Sequence, residues 1–174
     1  MNRILTTLTF AVLSCTLPAQ AAPILPGLWE FSSRNVEVDG QQMPGMSEML
    51  EQLQNLPADQ RKMMEDMLAA QGVQLGGQGV HICLSEAQVN AETLPFSDQP
   101  DCTQEIIERS ERLWKFRFQC PDASGQGETR FISEREFISV METRYSVGSE
   151  QGSSRMESQA RWLGEDCGTL KPAQ

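Results

Sequence analysis

Arg112-Leu113-Trp114-Lys115-Phe116-Arg117-Phe118-Gln119-Cys120 alternates in polarity from Trp114 onward. Trp114, Phe116, Phe118 and Cys120 fall on one side, Lys115, Arg117 and Gln119 on the other. Successive side chains of a strand point to opposite faces, so this is an antiparallel strand with one face buried and one wet. Glu105 to Arg109 reads as the other arm of a hairpin that turns at Ser110 to Arg112. A turn centred on Glu111 puts Cys102 and Cys120, each nine residues away, opposite each other. Opposed positions of an antiparallel pair lie within the span a disulfide bridges, provided they form a non-hydrogen-bonded pair.

The same period-two pattern recurs on both sides. Trp29 and Phe31 share a face within Gly27 to Val38, and Asp39-Gly40 ends that strand as a turn. Val80 to Leu84 is a short strand. After a turn-rich Pro121 to Gly127, a meander continues through Glu128 to Ser133, Phe137 to Ser146 and Ser154 to Leu163, with Gly148 and Gly152 bracketing its last turn. About eight short strands at this spacing predict a mainly β fold, an antiparallel meander closed into a barrel or packed as a sandwich.

Pro44 to Gln71 interrupts the β pattern. It contains no β-branched residue and is rich in Met, Leu, Glu and Gln. Met46, Met49, Leu50 and Leu53 recur at helical spacing, then Met63, Met64, Met67 and Leu68, with Pro57 suited to a helix start. The segment predicts a helical hairpin across one opening of the sheet, a mobile lid whose ligand face is Met46, Met49, Leu50, Leu53, Met63, Met64, Met67 and Leu68. Thioethers also favour Cu(I), so Met43, Met46 and Met49, spaced by three, form an alternative soft-metal set. The plain alternative to both is that Met is a good helix former and an adaptable core filler.

The chain starts with Met1-Asn2-Arg3, an apolar run from Ile4 to Leu13, and Ala19-Gln20-Ala21. These are the three zones of a signal peptide cleaved before Ala22, and the run is far short of the ~20 residues that span a bilayer. The predicted organisation is a leader at 1–21 and a single periplasmic domain at 22–174. Val12-Leu13-Ser14-Cys15 offers a competing lipobox that would anchor the protein through Cys15. Removing residues 1–21, whose one charged residue is Arg3, takes the net charge from −10 to −11. Such a chain is repelled by phosphate backbones and anionic lipid, which argues against nucleic acid and membrane surfaces as partners.

Cleavage also leaves four cysteines: Cys83, Cys102, Cys120 and Cys167. An even count in an oxidising compartment reads as disulfides, and with Cys102 given to Cys120 the remaining pair is Cys83 with Cys167. No Cys-x-x-Cys, Gly-x-Ser-x-Gly or His-Glu-x-x-His occurs. The one histidine, His81, shares a strand face with Cys83, but a disulfide claims that thiol. Glu128, Glu134, Glu136 and Glu142 sit where a meander puts solvated side chains. The pattern argues against an enzyme and implies no cofactor.

Pro26-Gly27-Leu28-Trp29-Glu30, the segment Leu56-Pro57-Ala58-Asp59-Gln60-Arg61, Cys83-Leu84-Ser85, Phe118-Gln119-Cys120 and Asp166-Cys167 occur in an order that resembles the exported bacterial family catalogued as domain of unknown function 3617. That resemblance covers Pro26 to about Pro172 and implies address and fold without an activity. Gly27-Leu28-Trp29 with Arg161 on the last strand also resembles the lipocalin-type pair in which Arg stacks on Trp to close a barrel. The expected function is that of a non-catalytic binding domain for an apolar small molecule within the barrel, or for an envelope protein on the Met-rich face. Cu(I) handling is the alternative.

Overall fold

A computed structural model of the chain describes residues 23–90 and 101–172. The expected leader at 1–21, with Cys15 in it, lies outside the described residues. The elements in order are β1 (Gly27–Val38), β2 (Gln41–Met43), α1 (Met46–Gln54), α2 (Ala58–Ala70), β3 (Val73–Leu75), β4 (Val80–Leu84), α3 (Glu86–Val89), β5 (Thr103–Arg109), β6 (Leu113–Gln119), β7 (Ala123–Ser133), β8 (Glu136–Val147) and β9 (Glu150–Gly164). All nine strands belong to one antiparallel sheet ordered β3-β4-β1-β9-β8-β7-β6-β5, with β2 paired to the far end of β1. β3 and β5 are its two ends, so the sheet is open rather than closed on itself.

Burial follows the alternation. Trp29, Ile82, Leu84 and Ala160 form a buried cluster with Val89 of α3. Trp29 on β1 and Phe137 on β8 are separated by β9, yet their rings meet at 5.3 Å. The β9 residue between them is Ala160, opposite both Phe31 and Phe137, and its small side chain leaves room for that contact. The aromatic chain continues through Phe131 to Trp114, whose rings are 5.2 Å apart. The Trp29 indole N–H is satisfied by the Leu25 carbonyl at 2.9 Å. Beside it, Gly27 has φ +127° and the Gly164 carbonyl stands where a Cβ would lie, so only glycine fits before Leu28-Trp29.

Several boundaries differ from the sequence expectation. Pro121 to Gly127 is not all turn: β7 starts at Ala123. Gly125 and Gly127 are strand residues whose missing side chains make space for the rings of Phe118 and Phe116. Gly152 likewise lies within β9 and accommodates the Tyr145 ring, while Gly148 does form the β8–β9 turn. Val73-Gln74-Leu75, a short strand added beside β4, gave no period-two signal long enough to find.

Both disulfides have the predicted partners. Cys83–Cys167 closes a loop of 84 residues and ties the end of the chain to β4. Cys102–Cys120 spans 18 residues at the open end of the β5–β6 hairpin. The route to the second differs from the expectation. The tight turn is Ser110 to Leu113, closed by the Ser110 N–H on the Leu113 carbonyl, and the first pair is Arg109 with Trp114. Continued unchanged, that register would put Cys102 opposite Pro121. A bulge between Ile106 and Glu108 shifts it by one, so Thr103 faces Gln119 and the cysteines meet.

Candidate functional site

The insertion is held at its start by β1. Beyond Phe31, the edge of β1 away from β9 is paired with neither β4 nor β2 until Val36. In that gap the Ser33 hydroxyl accepts the Met46 N–H at 3.1 Å, and the Glu48 carboxylate accepts the Gly45 N–H at 3.1 Å. Two of the orphan donors of the helix start are thereby satisfied, one by the sheet and one by the helix itself. Asn55-Leu56-Pro57 then turns the chain into α2.

The insertion folds as the two consecutive helices expected. α1 lies near β1, where the Ser33 hydroxyl holds its first turn, and α2 leads after two residues into β3. On α1, Leu50 is buried and Met46 and Leu53 are half-buried, while Met49 is exposed. On α2 no residue is buried. Met64 and Leu68 are half-buried, but Met63 is 74% and Met67 58% exposed. At 100° per residue, Met63, Met67, Met64 and Leu68 occupy one continuous arc of α2. Only the half of that arc formed by Met64 and Leu68 is covered. The expected ligand face of eight residues is therefore split into an inward set (Met46, Leu50, Leu53, Met64, Leu68) and an outward set (Met49, Met63, Met67), which Met43 on β2 joins.

The soft-metal set is divided in the same way: Met43 and Met49 are exposed and Met46 is half-buried. Among the described residues, no three His, Cys, Asp or Glu side chains are grouped as metal ligands. His81 finds no thiolate at Cys83, which is bonded to Cys167.

Arg161 does not stack on Trp29. Trp29 faces Trp162 across the β1–β9 pairing, and the step to Arg161 turns the guanidinium to the opposite, polar face. There it donates to Glu30 at 2.8 Å, and His81 of β4 lies 3.4 Å from the other carboxylate oxygen. Three adjacent strands thus converge on one buried carboxylate, with His81, Glu30 and Arg161 in register. The barrel-closing role is replaced by a polar clamp across β4, β1 and β9. The cluster was missed because alternation places Glu30 on the wet face and says nothing of which residues flank it on other strands. Glu30 and Arg161 also line a cavity of about 760 Å³ with Ser32, Gln159 and the α1 residues Ser47 and Glu51.

The rest of the polar face is a lattice of solvated charge. Glu142 accepts from Gln126 at 3.1 Å and pairs with Arg155 at 3.6 Å. Glu128 pairs with Arg130, Glu134 with Arg135, and Glu136 accepts from Gln159. The hydrogen bond and charge of Glu108 push the Lys115 ammonium above its ordinary range. Burial, and then Asp39, push the Tyr145 hydroxyl up. A cavity of about 500 Å³ on this face is lined by Glu37, Asp39, Arg117, Glu142, Arg144 and Arg155 among others.

A domain of this architecture, with two disulfides, a Gly-Leu-Trp opening and a helical insertion after the β1–β2 hairpin, defines a protein class. The chain belongs to the family described as "Protein of unknown function (DUF3617)", which matches residues 24–167. It is similar to a Pseudomonas putida protein described as "Uncharacterized protein in lpd-3 5'region", with 49% identity over 117 residues, 67% of this chain and 82% of that protein. No solved structure matches it. Among the described residues, no helix is long and apolar enough to cross a membrane.

Proposed function

We propose that the protein is an exported, non-catalytic binding domain that recognises a protein segment through its methionine-bearing insertion. The observation that carries this reading is the half-covered arc of α2. Met64 and Leu68 are half-buried, while Met63 and Met67 stay in water on the same apolar arc. Exposed apolar surface on one element marks an interaction site more often than scattered exposure does. Thioethers repack at small cost, which suits a recognition surface. The two described cavities are lined largely by charged and polar side chains, which favours a protein ligand over an apolar small molecule within the sheet. Export to an oxidising compartment is supported by the two disulfides together with the leader-like start of the sequence.

A photo-crosslinking residue placed at 63 or 67 in cells is expected to trap a discrete envelope partner, and one at 155 to trap none. Failure to trap any partner from 43, 49, 63 and 67 overturns the binding reading. An intact mass beginning at Ala22 supports export, and a diacylglyceryl adduct on Cys15 replaces a free domain with an anchored one. The second reading is Cu(I) handling, favoured by the exposure of Met43 and Met49, each three residues from Met46. Cu(I) titration of the oxidised protein separates the two, because a metal site is lost in Met43→Leu with Met49→Leu whereas an apolar docking surface is kept.

A further inference from the structure

We infer that the segment docking on the methionine ridge is a cationic amphipathic helix or strand of another protein. This rests on the binding reading above and adds the chemistry of the partner. Residues 46–70 carry Glu48, Glu51, Asp59, Glu65 and Asp66 against only Arg61 and Lys62. Both cations are already engaged within α2: Lys62 sits 3.0 Å from Asp66, and Arg61 lies 3.8 Å from Glu65 and also donates to the Gln54 carbonyl. Glu51 and Asp59 are exposed and have no ion pair among the described residues, and Glu48 meets only the Gly45 N–H. On the α2 wheel, Asp59 and Asp66 border the Met63–Met67 arc on its uncovered side.

The insertion therefore carries a net charge of −3, and its exposed Met63–Met67 strip is bordered on α2 by Asp59, which has no ion pair among the described residues, and by Asp66, which Lys62 pairs. Electrostatic complementarity selects partners by suppressing those of like charge. A second copy of this chain, with net charge −10, would bring acidic edges together. An anionic lipid surface is repelled in the same way. A cationic segment with apolar residues on one face satisfies both components at once, in the manner of helix-in-groove and strand-addition recognition.

The test uses the oxidised mature protein and three synthetic amphipathic helices with identical leucine positions, carrying Lys, Gln or Glu at the polar positions, with binding read by fluorescence anisotropy. The Lys peptide is expected to bind about tenfold more tightly than the Glu peptide, and to lose that advantage as salt is raised past the screening range. Glu51→Gln with Asp59→Asn should reduce binding of the Lys peptide several-fold, while Glu105→Gln with Glu111→Gln, at the far end of the sheet, should not. Met63→Gln with Met67→Gln should weaken the Lys and Gln peptides alike, and circular dichroism checks that every variant keeps its helices. Equal binding of all three peptides, all weakened by the methionine changes, overturns the inference about charge while leaving the surface itself in place. If the Glu105/Glu111 variant behaves like the Glu51/Asp59 variant and the methionine changes have no effect, attraction is to the acidic protein at large. Both the inference and the binding reading then fall.

Discussion

The β-sheet and the helical insertion are both written in amphipathic patterns, yet they use them to different depths. In the sheet, Trp29 and Trp114 are 0% and 1% exposed, packed in a continuous aromatic chain. In the insertion, Leu50 alone is buried, and α2 leaves half of its apolar arc in water. A periodic apolar stripe reports that an element has a side. It does not report how much of that side another element covers. Coverage depends on what the sheet edge offers, which for α1 is the gap beside Ser33.

The comparison can be broken at its strongest point first. Replacing Cys83 and Cys167 by alanine opens an 84-residue loop, and should cost about 4.5 kcal/mol in the chain-entropy picture, against about 3 for the 18-residue loop of Cys102–Cys120. Denaturant midpoints of the two double variants test this. A larger loss from the shorter loop would mean that the β5–β6 end, not the tie to the chain's last residues, holds the sheet together.

Next in size are truncations inside each region. Trp29→Ala should cost about 4 kcal/mol of global stability. Leu50→Ala should cost about 2 kcal/mol, but confined to α1. Hydrogen exchange reads the difference: the alanine at 50 speeds exchange over 46–54 and leaves 114–119 unchanged. Equal acceleration in both would show that the insertion is part of the cooperative core and not a separately opening unit. The smallest effect is expected at the ridge itself, where Met63→Gln with Met67→Gln should change the global midpoint by less than about 0.5 kcal/mol. A larger loss would show that these side chains hold the fold together, and the ridge would need no binding role.

Much of the sheet was legible because alternation is a local property. Trp114, Phe116 and Phe118 mark β6 without reference to any neighbour. The turn at Asp39-Gly40 was equally plain, since both residues take positive φ between Val38 and Gln41. What alternation missed depends on the strand next door. Gly125 and Gly127 read as turn residues until the rings of Phe116 and Phe118 are placed over them. Glu30 reads as one more solvated acid until His81 and Arg161 arrive from either side. The same limit explains the Trp29–Arg161 expectation, which paired residues by motif although the register puts them on opposite faces. On the helices the apolar positions were read correctly, and only their depth was not.

The bulge between Ile106 and Glu108 has a consequence for how this hairpin can change over evolutionary time. The turn and the bulge offset each other by one residue, and the Cys102–Cys120 bond depends on their difference, not on either alone. Losing a residue from the turn, or smoothing the bulge, would carry one cysteine past the other and turn the two to opposite faces. Length changes here are viable only in compensating pairs. A relative whose turn differs in length by one residue should therefore have lost the bulge or carry a further irregularity between the turn and its first cysteine, and a relative without these two cysteines is free of that constraint.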